Sequence, residues 1–242
     1  MKKFFLIPVF WFFLSFTVFA ESISLVGNSW PPYVNKTHAK KGLVMEIVTT
    51  ALQQKGYQSR MSIEDWPRAL EGIEIGIFDV VVAIWKTPER EKKLLYSKPY
   101  LVNQIKFIKM KSTEVKYQTL DDLKGYLIGV VKGYAYDEKF NHSQALIKIP
   151  KNHIIQNLLK LTQGEIDLTL GDERAIRYEI NQYMSGYADR LEFLSKPLSK
   201  RGLYIAVSKQ HPNAKKIISD FDQSIETMLE NGTIAALIKK YE

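Results

Sequence analysis

Apolar and polar residues follow one another in short blocks whose period switches between that of strands and that of helices. Residues 23–26 form a short apolar run and predict a strand. A helix is predicted over 42–55, opened by Gly42, with Val44, Ile47, Val48, Ala51 and Leu52 on one face and Gly56 as its stop. A strand over 58–63, a helix over 66–73 and a buried strand over 80–83 follow. The grammar then repeats: strand 127–131, helix 154–161, strand 166–170. The helix-to-strand junctions correspond, since Gly76-Ile77-Phe78-Asp79-Val80 has the form of Gly164-Glu165-Ile166-Asp167-Leu168. In each the glycine can end a helix in a left-handed conformation, and the aspartate is expected to bond nearby backbone amides. Such alternation implies an α/β protein with a mostly parallel, helix-covered sheet in each of two lobes of like topology. Residues 212–241 predict two helices broken at Asn231-Gly232.

The N-terminus sets the compartment. Lys2 and Lys3 precede an apolar run to Ala20 that ends Val18-Phe19-Ala20, the anatomy of a secretory signal peptide. The competing reading, a membrane anchor, meets a run at the short limit for spanning and interrupted by Pro8. Residues 1–20 are therefore expected to be removed, leaving a periplasmic protein that starts at Glu21. With no cysteine in the chain, lipid attachment and disulfides are excluded, and stability must come from a core.

Charge excludes further classes. Without Lys2 and Lys3, 32 basic residues stand against 26 acidic ones, dispersed along the chain. A nucleic-acid surface would want a concentrated basic stripe with interleaved aromatics, so no nucleic-acid partner is expected. His38, His142, His153 and His211 show no ligand spacing, and neither a metal nor another cofactor is expected. There is no Gly-rich phosphate loop and no Gly-x-Ser-x-Gly elbow.

Ligands of open α/β sheets sit beyond the carboxyl ends of the strands. Trp30-Pro31-Pro32-Tyr33, Trp66-Pro67-Arg68 and Trp85 each follow a predicted strand of the first half. Any one tryptophan could simply pack in a core; three in like positions predict an aromatic-walled cleft. Arg90 follows Thr87-Pro88-Glu89, with Thr87 as a cap and Pro88 in the first helical turn. Its planar fork matches a carboxylate, although a solvated surface arginine fits the spacing equally. In the second half, Gly133-Tyr134-Ala135-Tyr136 and Gly171-Asp172-Glu173 follow strands. Asp172 reads either as an acceptor for a ligand ammonium or as a helix cap. Glu173 reads as an acid–base residue or as a favourable first-turn charge.

These residues resemble the bacterial extracellular solute-binding proteins of family 3, receptors for polar amino acids. Carriers of the resemblance are Trp30-Pro31-Pro32-Tyr33, Gly76-x-x-Asp79-Val80, Thr87-Pro88-Glu89-Arg90, Tyr96-Ser97-Lys98-Pro99-Tyr100, Gly164-x-x-Asp167 with Gly171-Asp172, and Gly202 to Val207. The resemblance implies a two-lobed periplasmic-binding-protein type II fold with chain crossings near Asn103 and Lys200. Lobe 1 would comprise residues 21–103 and 200–242, and lobe 2 residues 104–199. It implies that Arg90 holds a ligand carboxylate, that Asp172 holds an ammonium, and that Trp30 packs on the ligand. The expected site is Trp30, Tyr33, Trp66, Arg68, Ala83, Trp85, Arg90, Gly133, Tyr134 and Asp172. The sequence departs from the family where Ala83, Trp85 and Tyr134 stand in place of hydroxyl residues that bond the ligand carboxylate, which puts an ordinary free amino acid in doubt and points to a flatter, aromatic or otherwise modified carboxylate.

The function expected is that of a monomeric receptor closing on a small carboxylate-bearing ligand and delivering it to an inner-membrane ABC permease. Two alternatives share the fold: an enzyme resembling cyclohexadienyl dehydratase, for which Glu173 is the one proton donor the sequence offers, and a soluble sensor domain.

Overall fold

The structure is a computed structural model in which residues 21–241 are described; the expected signal segment, residues 1–20, lies outside the described residues. The elements are β1 (Ser22–Gly27), α1 (Leu43–Gln53), β2 (Gln58–Ile63), α2 (Trp66–Glu74), β3 (Val80–Ile84), α3 (Pro88–Lys93), β4 (Leu94–Tyr96) and β5 (Leu101–Met110). Then come β6 (Leu127–Val131), α4 (Glu138–His142), β7 (Ile147–Lys151), α5 (Ile154–Thr162), β8 (Leu168–Asp172), α6 (Glu173–Tyr183), β9 (Leu191–Phe193), β10 (Ser199–Ser208), α7 (Ala214–Glu230) and α8 (Thr233–Lys240).

Strands run in the order β2-β1-β3-β10-β5-β8-β6-β7, with β4 beside β10 and β9 beside β5. Strands β1, β2 and β3 are mutually parallel, as are β6, β7 and β8. These two parallel groups are the two lobes, and β5 and β10 join them. Strand β10 pairs with β5 through Ser199–Leu203 and then with β3 and β4 through Tyr204–Ser208. Strand β5 continues into the second lobe, pairing Ile105–Lys109 with β8. The alternation of short strands with helices foretold the parallel groups; the two long antiparallel strands were not assigned from sequence.

Each lobe is closed by the same device. Gly76 and Gly164 adopt φ of 79° and 74°, the left-handed turn that ends α2 and α5. The aspartates that follow do not bond local amides as expected. Asp79 accepts from Ser24 N and Ser24 Oγ, both at 2.7 Å, and Asp167 from Leu127 N at 2.7 Å. The reason is register: Leu25 lies opposite Val80 and Ile128 opposite Leu168. An aspartate just ahead of β3 or β8 therefore faces the first residues of its parallel neighbour. Asp167 N also donates to Leu127 O at 2.9 Å; β8 itself spans 168–172 rather than the expected 166–170.

Apolar burial gives the lobes their stability. Leu25, Val44, Ile47, Val48, Leu52, Val80 and Val82 pack with Phe221 and Met228 of α7 in the first lobe. Ile108, Leu158, Leu161, Ile166, Ile176 and Ile180 form a core in the second. Gly129, in the centre of β6, shows how tightly that core closes. A Cβ there would lie 2.6 Å from Ile166 Cδ1 and 2.9 Å from the amide of Asn157, which has 0% exposure. Gly129→Ala is expected to destabilise the fold by about 1–3 kcal/mol through overpacking. A urea-denaturation midpoint equal to that of the parent would contradict this.

Candidate functional site

The ends of β1 and β3 and the start of α2 bring the three tryptophans together, facing the β6–α4 turn of the other lobe. Trp30 and Trp85 rings meet edge-on at 5.5 Å. Tyr134 inserts among them, 5.4 Å from Trp85, 6.3 Å from Trp30 and 6.4 Å from Trp66. Its hydroxyl accepts from Asn28 Nδ2 at 2.8 Å. The tryptophans are 5–9% exposed: Trp30 and Trp85 pack on each other and on Tyr134, whereas Trp66 packs on Tyr134 and on an aliphatic cluster that includes Val26, Ile73 and Val81.

Arg90 sits as its local sequence requires. Thr87 Oγ1 accepts from Arg90 N at 3.2 Å, and Pro88 opens α3. The half-buried guanidinium donates Nη1 to Trp85 O at 2.8 Å and Nη2 to Gly133 O at 3.1 Å. It lies 5.0 Å from the Trp66 ring centroid. Gly133 has a φ of 76°, and that left-handed turn aims its carbonyl across the cleft. Burial lowers the Arg90 pKa from its ordinary value. Among the described residues no carboxylate forms an ion pair with it; Glu89 and Glu74 favour its charge only from a distance, and burial outweighs them.

A buried polar relay crosses the cleft floor. Trp85 Nε1 donates to Asn103 Oδ1 at 2.8 Å, Asn103 Nδ2 to Tyr33 Oη at 3.0 Å, and Tyr33 Oη to Asp172 Oδ1 at 2.8 Å. Asp172 also caps α6, accepting from Ala175 N at 3.0 Å, and its Oδ2 accepts from Gln104 N at 3.2 Å. Of the two sequence readings of Asp172, the helix cap is the one the bond to Ala175 N displays. Burial, partly offset by these bonds, raises its pKa.

The cleft has two compartments. A space of about 20 Å³ is lined by Asn28, Ala83, Arg90 and the aromatic cluster. A cavity of about 480 Å³ is lined by Asp172, Ala175, Ile176, Glu179 and residues of both lobes. Trp30 and Tyr134 line both, so their rings are the wall between Arg90 and the larger cavity.

Of the expected residues, Trp30, Tyr33, Trp66, Ala83, Trp85, Arg90, Gly133, Tyr134 and Asp172 come together here. Arg68 does not. Its side chain is 78% exposed and pairs at 3.4 Å with Glu64, which precedes the helix, because the first turn of α2 directs it outward. Glu173, the proton donor the sequence offered, is ion-paired instead. Burial pushes its pKa up, but Lys106 at 2.8 Å and Arg177 at 2.6 Å outweigh that and hold it below the usual range.

Asn28, Asn103 and Glu179 were missed. The two asparagines are isolated polar residues at strand ends and carry no sequence signal. Glu179 had one: it shares a helical face with Ala175, Ile176 and Ile180, an acid where the spacing calls for an apolar residue. It is 7% exposed, has no bonded partner among the described residues, and burial raises its pKa to about 7. Between the ordinary value of 4.5 and about 7, the unfolded chain releases this proton before the folded one does. Stability from protonated Glu179 is therefore full below about pH 4.5 and lost as pH rises through 7. Glu179→Gln is expected to stabilise the unliganded protein at pH 8 by on the order of 2–3 kcal/mol, with no gain at pH 4. Equal thermal midpoints at pH 8 would contradict this.

Two lobes joined by two crossing strands, with a cleft at the carboxyl ends of both parallel sheets, define a periplasmic-binding-protein type II fold. Residues 24–242 match the bacterial extracellular solute-binding proteins, family 3, and the chain belongs to that family. The L-cystine-binding protein TcyJ of Escherichia coli (strain K12) is 25% identical over 223 residues, 90% of this chain and 81% of the relative. The probable histidine-binding protein of Campylobacter jejuni is 23% identical, over 88% of this chain and 82% of its own length. Among solved structures, a Salmonella typhimurium periplasmic binding protein described for its high arginine specificity superposes with a TM-score of 0.76. It is 17% identical, covering 92% of this chain and 99% of that one. The chain is thus a solute-binding protein of a family that works outside the cytoplasm.

Proposed function

We propose that this chain is a periplasmic receptor for an amino acid or amino-acid-like solute, which it hands to an inner-membrane ABC permease. Arg90 holds the solute carboxylate, Asp172 its ammonium, and Trp30, Trp66, Trp85 and Tyr134 pack on its body. The observation that carries this reading is Arg90: a half-buried guanidinium at the cleft, bonded to two backbone carbonyls and, among the described residues, to no carboxylate. Placing a cation so costs stability, and an incoming carboxylate would repay it with two parallel hydrogen bonds. Relatives named for binding L-cystine and histidine support the class of solute. Residues 21–103 and 200–242 form one closing body and 104–199 the other, hinged where β5 and β10 cross. The protein acts as a monomer, starts at Glu21 after signal cleavage, carries no lipid, and binds rather than transforms its solute; Glu173, tied to two cations, supplies no proton.

A thermal-shift screen of the mature protein against the L-amino acids and L-cystine tests this. A solute at a hundred times its Kd adds about 2.7 kcal/mol of stability, which a melting curve resolves. Melting temperatures unchanged across the whole panel would overturn the reading.

A further inference from the structure

The 480 Å³ cavity holds an acid for which the receptor reading so far gives no use. Asp172, Ala175, Ile176, Glu179 and Tyr183 all line it, at the spacing of one face of α6. Glu179 is seven residues beyond Asp172, about 10 Å along the helix axis. It is 93% buried by area, at 7% exposure, yet neither Lys, Arg, His nor any hydrogen-bond donor among the described residues pairs with it. A carboxylate buried alone is costly and is retained where something meets it.

The surroundings decide the sign of what it meets. Beside Glu179, the cavity is lined by the carboxylates of Asp172 and Asp65, one lysine, Lys36, and one imidazole, His153. Lys36, Asp65 and His153 are exposed at the rim, whereas Asp172 and Glu179 are buried. The interior of the cavity is therefore acidic. Its walls between the two carboxylates, Ala175, Ile176, Ile154 and Leu170, are apolar and suit a run of methylenes.

We propose that Glu179 is a specificity residue that receives a distal cation of the solute, an ammonium or guanidinium carried on an aliphatic chain whose α-ammonium lies at Asp172. This rests on the receptor reading above and narrows it from any amino-acid-like solute to a dibasic one. The separation of the two carboxylates along α6 selects for length, and the apolar walls exclude a second anion.

The test is isothermal titration of wild-type and Glu179→Gln protein with L-arginine and L-lysine, each beside a neutral counterpart, L-citrulline and L-norleucine. Wild type is expected to bind at least one cationic probe ten-fold or more tighter than its neutral counterpart. Glu179→Gln, whose fold is checked by circular dichroism, should abolish that preference while changing affinity for the neutral probe by less than about three-fold. Equal binding of cationic and neutral probes would overturn the inference, as would a Glu179→Gln loss shared by both members of a pair, which would mark Glu179 as a closure contact. If neutral or acidic amino acids bind in preference and Arg90→Ala abolishes that binding, the inference falls and the receptor reading stands. If no amino acid binds, the receptor reading falls with it.

Discussion

Arg90→Ala is expected to weaken binding of the amino acid that most raises the melting temperature by 30-fold or more, while leaving the fold intact. Losing one partner of a buried charged pair costs about 2–5 kcal/mol, and each 1.4 kcal/mol is tenfold in affinity. The carboxylate would be left in a compartment walled by Trp30, Trp66 and Trp85, with Ala83 and Trp85 offering no hydroxyl in place of the guanidinium. The same substitution removes the hydrogen bond to Gly133 O, one of the direct links between lobes, so closure weakens too. Arg90→Lys should recover little. A point charge cannot present the fork, and its three donors cannot serve Trp85 O, Gly133 O and both carboxylate oxygens together. Calorimetry reads the affinity and far-ultraviolet circular dichroism the fold. Affinity within three-fold of wild type for Arg90→Ala would remove Arg90 from the site.

The second large effect belongs to Tyr134. Its ring fills the junction of the three tryptophans and leaves about 20 Å³ beside Arg90, too little for a carboxylate with its α-carbon. A solute in the larger cavity can reach Arg90 only when this ring turns aside. Tyr134→Ser should therefore do two things at once. It should destabilise the unliganded protein by about 1–3 kcal/mol, less than the loss of a fully buried aromatic because the ring is only partly buried, with loss of the Asn28 bond added. It should also open Arg90 to small zwitterions, so that glycine, L-alanine or L-serine, excluded from wild type, raise the variant's melting temperature. A stable variant, or one as closed to small amino acids as its parent, would show that the ring is not the barrier.

Much of this was legible in the sequence, for physical reasons. Period-2 and period-3.6 blocks are local, so β1, α1, β2, α2, β3, β6 and α5 were predicted within one or two residues. Gly76 and Gly164 announced left-handed turns because few other residues take them cheaply. The crossing strands escaped because β5 and β10 owe their pairing to partners some hundred residues away, Leu101 facing Leu203 and Asn103 facing Arg201. Each strand also changes partners midway, so no single burial period runs its length. At the site, Thr87-Pro88-Glu89-Arg90 could be read because a cap and an N1 proline fix a helix start. Arg68 lies apart from the cluster because position in a motif does not say which way a first-turn side chain leaves the helix. That Tyr134 inserts among the tryptophans depends on the lobe–lobe distance, and that Asn103 links Trp85 to Tyr33 depends on packing within the first lobe; spacing encodes neither.

The central claim is that the solute binds among the aromatic rings at Arg90, and tryptophan emission tests it most directly. The sequence has four tryptophans, and the three beyond residue 20, Trp30, Trp66 and Trp85, all lie within the cleft wall. Emission from the mature protein therefore comes from the site itself. Titration with the amino acid that most raises the melting temperature should shift or change that emission in one saturable transition, with a midpoint matching the calorimetric Kd. An amino acid that stabilises the protein and saturates by calorimetry, yet leaves the emission unchanged, would contradict the claim.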